Sequence, residues 1–495
     1  MSTERIRNKN LLKKVVSPEV AAGIIKDGMT IGTHGALNVA YPKTFFKALA
    51  ERGKKGEIKE INLWTISLFG PEGVLAEAGI IKRKLGSIGN NTIRKQINAG
   101  KVLSNDLRPE VFPLYTRSKV IGKVDVAVID AVAITEEGHI VPSHTLVDAA
   151  TYVEMADIVI VEINHAQPLG LEGMHDVYCC KLPPHQREVP LYHVGDRIGN
   201  PYILAGEDKI TYIIESFESE KNPPASRIDP ASQKLGEYLV SFFKDEVKKG
   251  KIPSKLYPIA SGIGSASDAF LSCLAQSDFE DIEIFTPVLG DGVLELIDQG
   301  KCKIASTPGF LLSEEKWQPF CQNIDKYKDK IIIRSVEVTN NAEIVRRLGV
   351  IALNNLLEID IYGNINSSHV GGAQLVNGVG GAGVFAANGY LAVFLTLSTS
   401  RKGSVSAIVP MVPHVDLTEH NIDVLVTEQG LADLRGLSPV ERAEKIINNC
   451  AHPDYRPLLN EYLEKAKKTV GGHEPHILEE AFSFHLRLQQ TGSMK

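Results

Sequence analysis

The feature that most constrains the fold is a series of short runs that are apolar on consecutive positions, with helix-like stretches between them. In the first half they fall at 29–33, 61–66, 124–129, 158–162 and 209–214. In the second half they fall at 282–288, 330–334, 391–397, 404–409 and 423–427. Apolar residues on consecutive positions suit strands buried on both faces, as in a parallel sheet flanked by helices. Between them, 42–52 and 341–354 carry apolar residues near helical spacing, so the chain reads as α/β. A length of 495 residues is too great for one core and predicts two or three domains. The segment 216–232, polar, aperiodic and with three prolines, reads as a linker. The expected division is therefore an α/β domain over 1–215, the linker 216–232, an α/β domain over 233–450 and a helical appendage over 451–495. Within the appendage, 456–469 and 478–490 read as amphipathic helices.

Composition narrows the function. A net charge of −6 argues against nucleic acid as a partner, and aromatics at 6% argue against a base- or sugar-stacking platform. No apolar run approaches the ~18 residues of a membrane span, so no membrane partner is expected. The six cysteines form no C-x-x-C pair, and with the scattered histidines they offer neither a zinc motif nor a disulfide framework. No metal and a reducing, cytoplasmic setting are expected. G-x-S-x-G and G-x-x-x-x-G-K-[ST] are both missing, which disfavours serine hydrolases and P-loop NTPases.

Glycines mark the candidate site. Gly262 and Gly264, in S-G-I-G-S, precede a helix-like stretch from 266 to 276, where free N–H groups can face an anion. The full dinucleotide fingerprint is not met, because Ser267 stands at the third glycine. Six glycines in the thirteen positions 371–383, among them Gly380, Gly381 and Gly383, suit a chain passing close to a ligand. Glu428 follows the 423–427 run, at the carboxyl end of a strand, where open α/β sheets place their ligands. Glu162 and Glu215 also end strands, but at plainer turns.

V-R-R-L-G-V-I-A-L-N at 345–354, D-I-Y-G at 360–363, N-S-S-H-V at 366–370, A-I-V-P-M at 407–411 and V-T-E-Q-G-L-A-D-L-R-G-L-S at 426–438, with 377–383, together resemble the acetyl-CoA hydrolase/transferase family of class I coenzyme A transferases. The resemblance covers nearly the whole chain and is densest over 255–453. It implies two α/β/α open-sheet domains, acyl-CoA and a small carboxylate as partners, no cofactor beyond CoA, and a homodimer. By the same resemblance the N–H groups of Ile263 and Gly381 are oxyanion donors and Asn340 holds a substrate carboxylate. Glu428 matches the glutamate of the T-E-Q-G motif, and Arg401 stands near CoA in place of a lysine. Gly262 and Gly264 fall with the CoA contacts, Gly380 and Gly383 with the substrate contacts.

The nucleophile does not carry over. A segment resembling T-E-V-x-Q-D-G is here T-P-V-L-G-D-G, with Pro287 in place of the glutamate that forms acyl-anhydride and glutamyl-CoA intermediates. Proline has no titratable group and no N–H, so the covalent cycle cannot run there. Glu283, about 13 Å along the strand, is too far to substitute. Val384 replaces an acidic residue, Pro413 a small polar one, and 33–43 (THGALNVAYPK) is remodelled. Three readings follow. The first is CoA transfer or thioester hydrolysis without that intermediate, with Glu428 or His34 as base. The second is carbon–carbon hydrolysis, lyase or decarboxylation chemistry on a CoA thioester, and the third a non-catalytic acyl-CoA-binding subunit.

Overall fold

The computed structural model describes residues 2–36, 38–66 and 70–495. The chain divides into two compact units. The first comprises residues 1–225, 284–291 and 303–348, the second 226–283, 292–302 and 349–495.

In the first unit, seven strands form a parallel ladder in the order Leu103–Asn105, Ile81–Leu85, Ile61–Trp64, Thr30–Thr33, Val126–Ile134, Ile158–Asn164, Ile210–Ser216. Ile140–Pro142 adds antiparallel to Val126–Ile134. Every residue of Val126–Ile134 is buried, the reason its sequence does not alternate. Helices Lys43–Lys54, Glu72–Glu77 and Asn91–Asn98 carry the chain between successive parallel strands. Further strand pairings in this unit join Ala305–Thr307 to Ile331–Ile333, and Ile333–Arg334 to His175–Asp176. The break at Ala225/Ser226 falls inside the polar 216–232 segment. Within that segment the side chain of Glu220, 2% exposed, pairs with the equally buried Lys43 side chain at 2.8 Å.

In the second unit, Ile259–Ser261, Ile351–Asn355, Leu391–Leu395 and Val424–Thr427 run parallel in that order, and Gly430–Asp433 closes the edge as an antiparallel hairpin. The 456–469 helix forms as expected, as Arg456–Thr469. Leu459, Tyr462 and Leu463 on one of its faces join Phe394, Leu425 and Ile446 in one apolar cluster, together with Phe484 and Met494.

The expected 478–490 helix forms only as Ser483–Thr491, and three further elements depart from the sequence reading, each for a local reason. The 282–288 run is a strand only over Ile282–Phe285. Thr286 N–H still bonds Ser306 O and Leu289 N–H bonds Gly309 O, and Pro287, with no N–H to give, sits between them. The 341–354 stretch is a helix over Ala342–Leu348, which ends at Gly349 (φ +70°) and continues as strand Ile351–Asn355. The 404–409 run splits: Val405–Ser406 pairs with Thr399–Ser400, while Ile408–Val409 pairs with Glu358–Asp360.

Candidate active site

The parallel strands of the second unit present their carboxyl ends along one edge. Helix Ser265–Ala275 leaves that edge from strand Ile259–Ser261, and helix Ala382–Asn388, which starts at the end of the 377–383 glycine loop, leads back to the start of Leu391–Leu395. Between Ile259–Ser261 and its helix lie the three residues Gly262, Ile263 and Gly264. Gly262 N–H donates to Leu353 O at 3.1 Å and is committed to the ladder. Ile263 N–H has no acceptor among the described residues, and its side chain is 40% exposed. The turn is held from below by Asn355, whose amide donates to Ile263 O at 2.9 Å and to Ser267 Oγ at 3.3 Å. Gly264 at φ +135° takes a conformation that L side chains rarely adopt.

The second helix start repeats the pattern. Gly380 is left-handed (φ +58°), and Gly381 caps Ala382–Asn388 with its carbonyl accepting from Phe385 N–H at 3.3 Å. Gly381 N–H has no acceptor among the described residues. A Cβ on Gly383 would meet only Leu417 Cδ2 at 3.6 Å, so that position does not demand glycine. Val384 turns inward, 6% exposed, and Pro413 packs against Gly372.

Glu428 stands at the end of Val424–Thr427. Ser398, at the end of the neighbouring strand's loop, donates its N–H to Oε2 at 2.7 Å and its hydroxyl to Oε1, and Gln429 Nε2 donates to Oε1 at 2.9 Å. Burial pulls the carboxyl's pKa up, but these hydrogen bonds outweigh it and the net shift is downward. Glu428 is thus a saturated, weakly basic carboxylate. Arg401 is exposed and opens a run, with Lys402 and Gly403, of three left-handed residues (φ +49°, +56°, +84°). The second unit thus holds Gly262, Ile263, Gly264, Gly380, Gly381, Gly383 and Glu428. Asn355, the last residue of its strand, holds Ile263, and Ser398, three residues past its strand, holds Glu428; neither carries a sequence signal of its own.

His34, Asn340 and Pro287 belong to the first unit. His34 is fully buried. Its Nε2 accepts from Asp130 N–H at 3.0 Å and its Nδ1 faces Thr145 Oγ1 at 3.1 Å. Burial drops its pKa to about 3. With its lone pair taken by a backbone amide, His34 has none to offer a substrate, and this geometry weighs against it as a base. Asn340 is buried at the end of the short Val336–Thr339 helix, its Oδ1 accepting from Thr339 Oγ1 at 3.1 Å. Pro287 is half-buried, in a turn closed by Thr286 Oγ1 donating to Val288 O at 3.0 Å.

Known proteins place this architecture. The model of the acetyl-CoA hydrolase/transferase N-terminal domain matches residues 1–215, and that of the C-terminal domain matches residues 317–463. The chain belongs to the acetyl-CoA hydrolase/transferase family. Among its relatives, a succinyl-CoA:acetate CoA-transferase of Clostridium kluyveri is 46% identical, over 100% of this chain and 93% of its own. An acetyl-CoA hydrolase of Schizosaccharomyces pombe is 39% identical, over 100% and 98%. The fold is shared with RipA from Yersinia pestis at a TM-score of 0.72 and 22% identity, covering 92% of this chain and 98% of that one.

Proposed function

We propose that this chain binds an acyl-CoA thioester and moves its CoA to a small carboxylate, with the acceptor attacking the thioester directly. The observation that carries this reading is the pair of N–H groups, Ile263 and Gly381, with no acceptor among the described residues, each just ahead of a helix in the second unit. Such donors stabilise the oxyanion that develops when a thioester carbonyl is attacked, and removing one donor from a comparable hole costs about 10²–10³ in rate. Pro287 offers no nucleophile, so no glutamyl-CoA forms at that position. The acceptor carboxylate instead displaces CoA thiolate to give a mixed anhydride. The thiolate then attacks the acceptor-derived carbonyl, releasing the original acyl group as a carboxylate and leaving CoA on the acceptor. No proton is transferred, so the step makes no demand on Glu428, whose pKa is shifted down. Hydrolysis would instead need water to be deprotonated, and so would lean on Glu428. A homodimer in the cytoplasm is part of the same proposal.

The test is initial-rate kinetics with acetyl-, propionyl- and succinyl-CoA against labelled carboxylates. Intersecting double-reciprocal lines and label in the new thioester are expected. Parallel lines, or a chain one CoA heavier by mass spectrometry, would overturn direct transfer. Free thiol without acceptor would favour hydrolysis. The altered segment around Pro287 favours one second reading, carbon–carbon chemistry on a CoA thioester; intact thioesters with CoA still raising the melting temperature would move the search there.

A further inference from the structure

A second cluster lies in the same unit and uses none of the groups assigned a role above. The chain leaves strand Ile365–Asn366 through Ser367 and Ser368 into a hairpin of His369–Val370 with Gln374–Leu375. A distant loop brings His414 and Asp416 against it. Ligand atoms of His369, His414 and Asp416 all lie within 4.8 Å of one another. The two imidazole rings are 3.8 Å apart at their centroids, and His414 Nε2 is 3.0 Å from Asp416 Oδ1. From the side-chain chemistry we propose that these three residues bind one divalent transition-metal ion of the zinc type.

Two neutral imidazoles and a carboxylate are a borderline donor set. It suits Zn²⁺ and its first-row neighbours and disfavours Mg²⁺ and Ca²⁺, which prefer all-oxygen shells. Tetrahedral ligands on zinc sit about 3.3 Å apart, so only small side-chain shifts would close the site. Supporting contacts of the kind metal ligands usually have are already in place. Asp416, 8% exposed, accepts from Ser367 N–H at 2.6 Å and from Ser368 Oγ at 2.7 and 2.8 Å. Ser368 Oγ also bonds His369 Nδ1 at 2.7 Å, and Asn366 Oδ1 accepts the N–H of His369 at 3.0 Å. Ile365 N–H and the N–H groups of Asp416 and Leu417 tie the two loops together at 2.8–3.2 Å. His369 Nε2 and His414 Nδ1 have no partner among the described residues. Three protein ligands leave a coordination position open, as in zinc sites that take water or a ligand oxygen. Such an ion would fasten the hairpin that leads directly into the 377–383 glycine loop. The two histidines form no sequence motif, because they lie far apart in the chain.

The full chain, stripped with EDTA and desalted, would be loaded with ZnCl₂ or CoCl₂. Expected are one metal per chain after a second desalting, visible ligand-field bands with cobalt, and a zinc-dependent rise in melting temperature. His414→Ala and the hairpin variant His369→Gln should each weaken binding by about tenfold or more. Should His414→Ala fail to fold, His369→Gln and the cobalt spectrum of the unaltered chain still decide. Wild type retaining no metal would overturn the site. So would binding that is equally tight in His369→Gln, which would place the metal elsewhere.

Discussion

At the scale of single residues, the site is defined as much by what its groups have already given away as by which groups are present. Glu428 has its carboxylate filled by Ser398 and Gln429, and His34 has its lone pair filled by Asp130 N–H. Ser398→Ala removes the hydroxyl hydrogen bond to Glu428 Oε1, one of those that hold Glu428 ionised, so the pKa of Glu428 should rise. If Glu428 faces the substrate, the acid limb of turnover should move to higher pH; an unmoved limb would take Glu428 out of the reaction. Pro287 provides the converse experiment. Pro287→Glu installs a carboxylate in a turn already anchored by Thr286 and Leu289, so the backbone gives up no hydrogen bond. That variant should accumulate CoA covalently when fed acyl-CoA, seen as added mass on the chain, and the wild type should not. The glycine positions of this site were legible in the sequence because glycine marks backbone need directly. The groups that support them were not, since Ser398 and Asn355 are ordinary residues made important by a strand register.

At the scale of elements, close approach and buried charge fix the packing. Helices Pro230–Lys248 and Ser265–Ala275 meet at Gly236, where a Cβ would fall 2.7 Å from Ala269 O and 2.8 Å from Cys273 Sγ. Gly236→Ala should therefore cost about 1–3 kcal/mol by pushing the helices apart, read from a urea midpoint. In the first unit the strand pairing of Ile333–Arg334 with His175–Asp176 buries an ion pair: Arg334 and Asp176 are 0% and 1% exposed, and the guanidinium also bonds Ser306 Oγ at 3.0 Å. Arg334→Met would strand Asp176 and should cost about 3–5 kcal/mol. Most central strands were legible as continuous apolar runs. Ile81–Leu85 was not, because its I-K-R-K-L pattern hides a lysine, Lys84, that is fully buried 3.2 Å from Glu72. Ile351–Asn355 was absorbed into a helical reading that only the left-handed Gly349 divides.

At the scale of the whole molecule, the first unit encloses three neutral histidines. Burial drops the pKa of His34 to about 3 and of His144 and His175 to about 4, against 6.5 in the unfolded chain. Between pH 6.5 and about 4 the unfolded state takes up protons that the folded state refuses. Stability should thus fall as pH drops through that window, by up to about 1.4 kcal/mol per pH unit for each histidine. Two buried acids of the same unit, Glu72 and Asp148, each pushed up to about 7, act in the opposite sense. The difference between wild type and His34→Gln isolates the histidine term: the variant should lose stability less steeply below pH 6.5 in urea melts, and equal slopes would refute the assignment. The division into units also carries a consequence for how the molecule is made. The first unit draws on residues up to 348, with stretches of the second unit threaded between its parts. During synthesis, His175–Asp176 emerges long before the strand it pairs with, Ile331–Arg334, has been translated. The nascent first unit must therefore wait with His175–Asp176 unpaired, a period in which a chaperone able to shield that segment would raise the yield of folded protein.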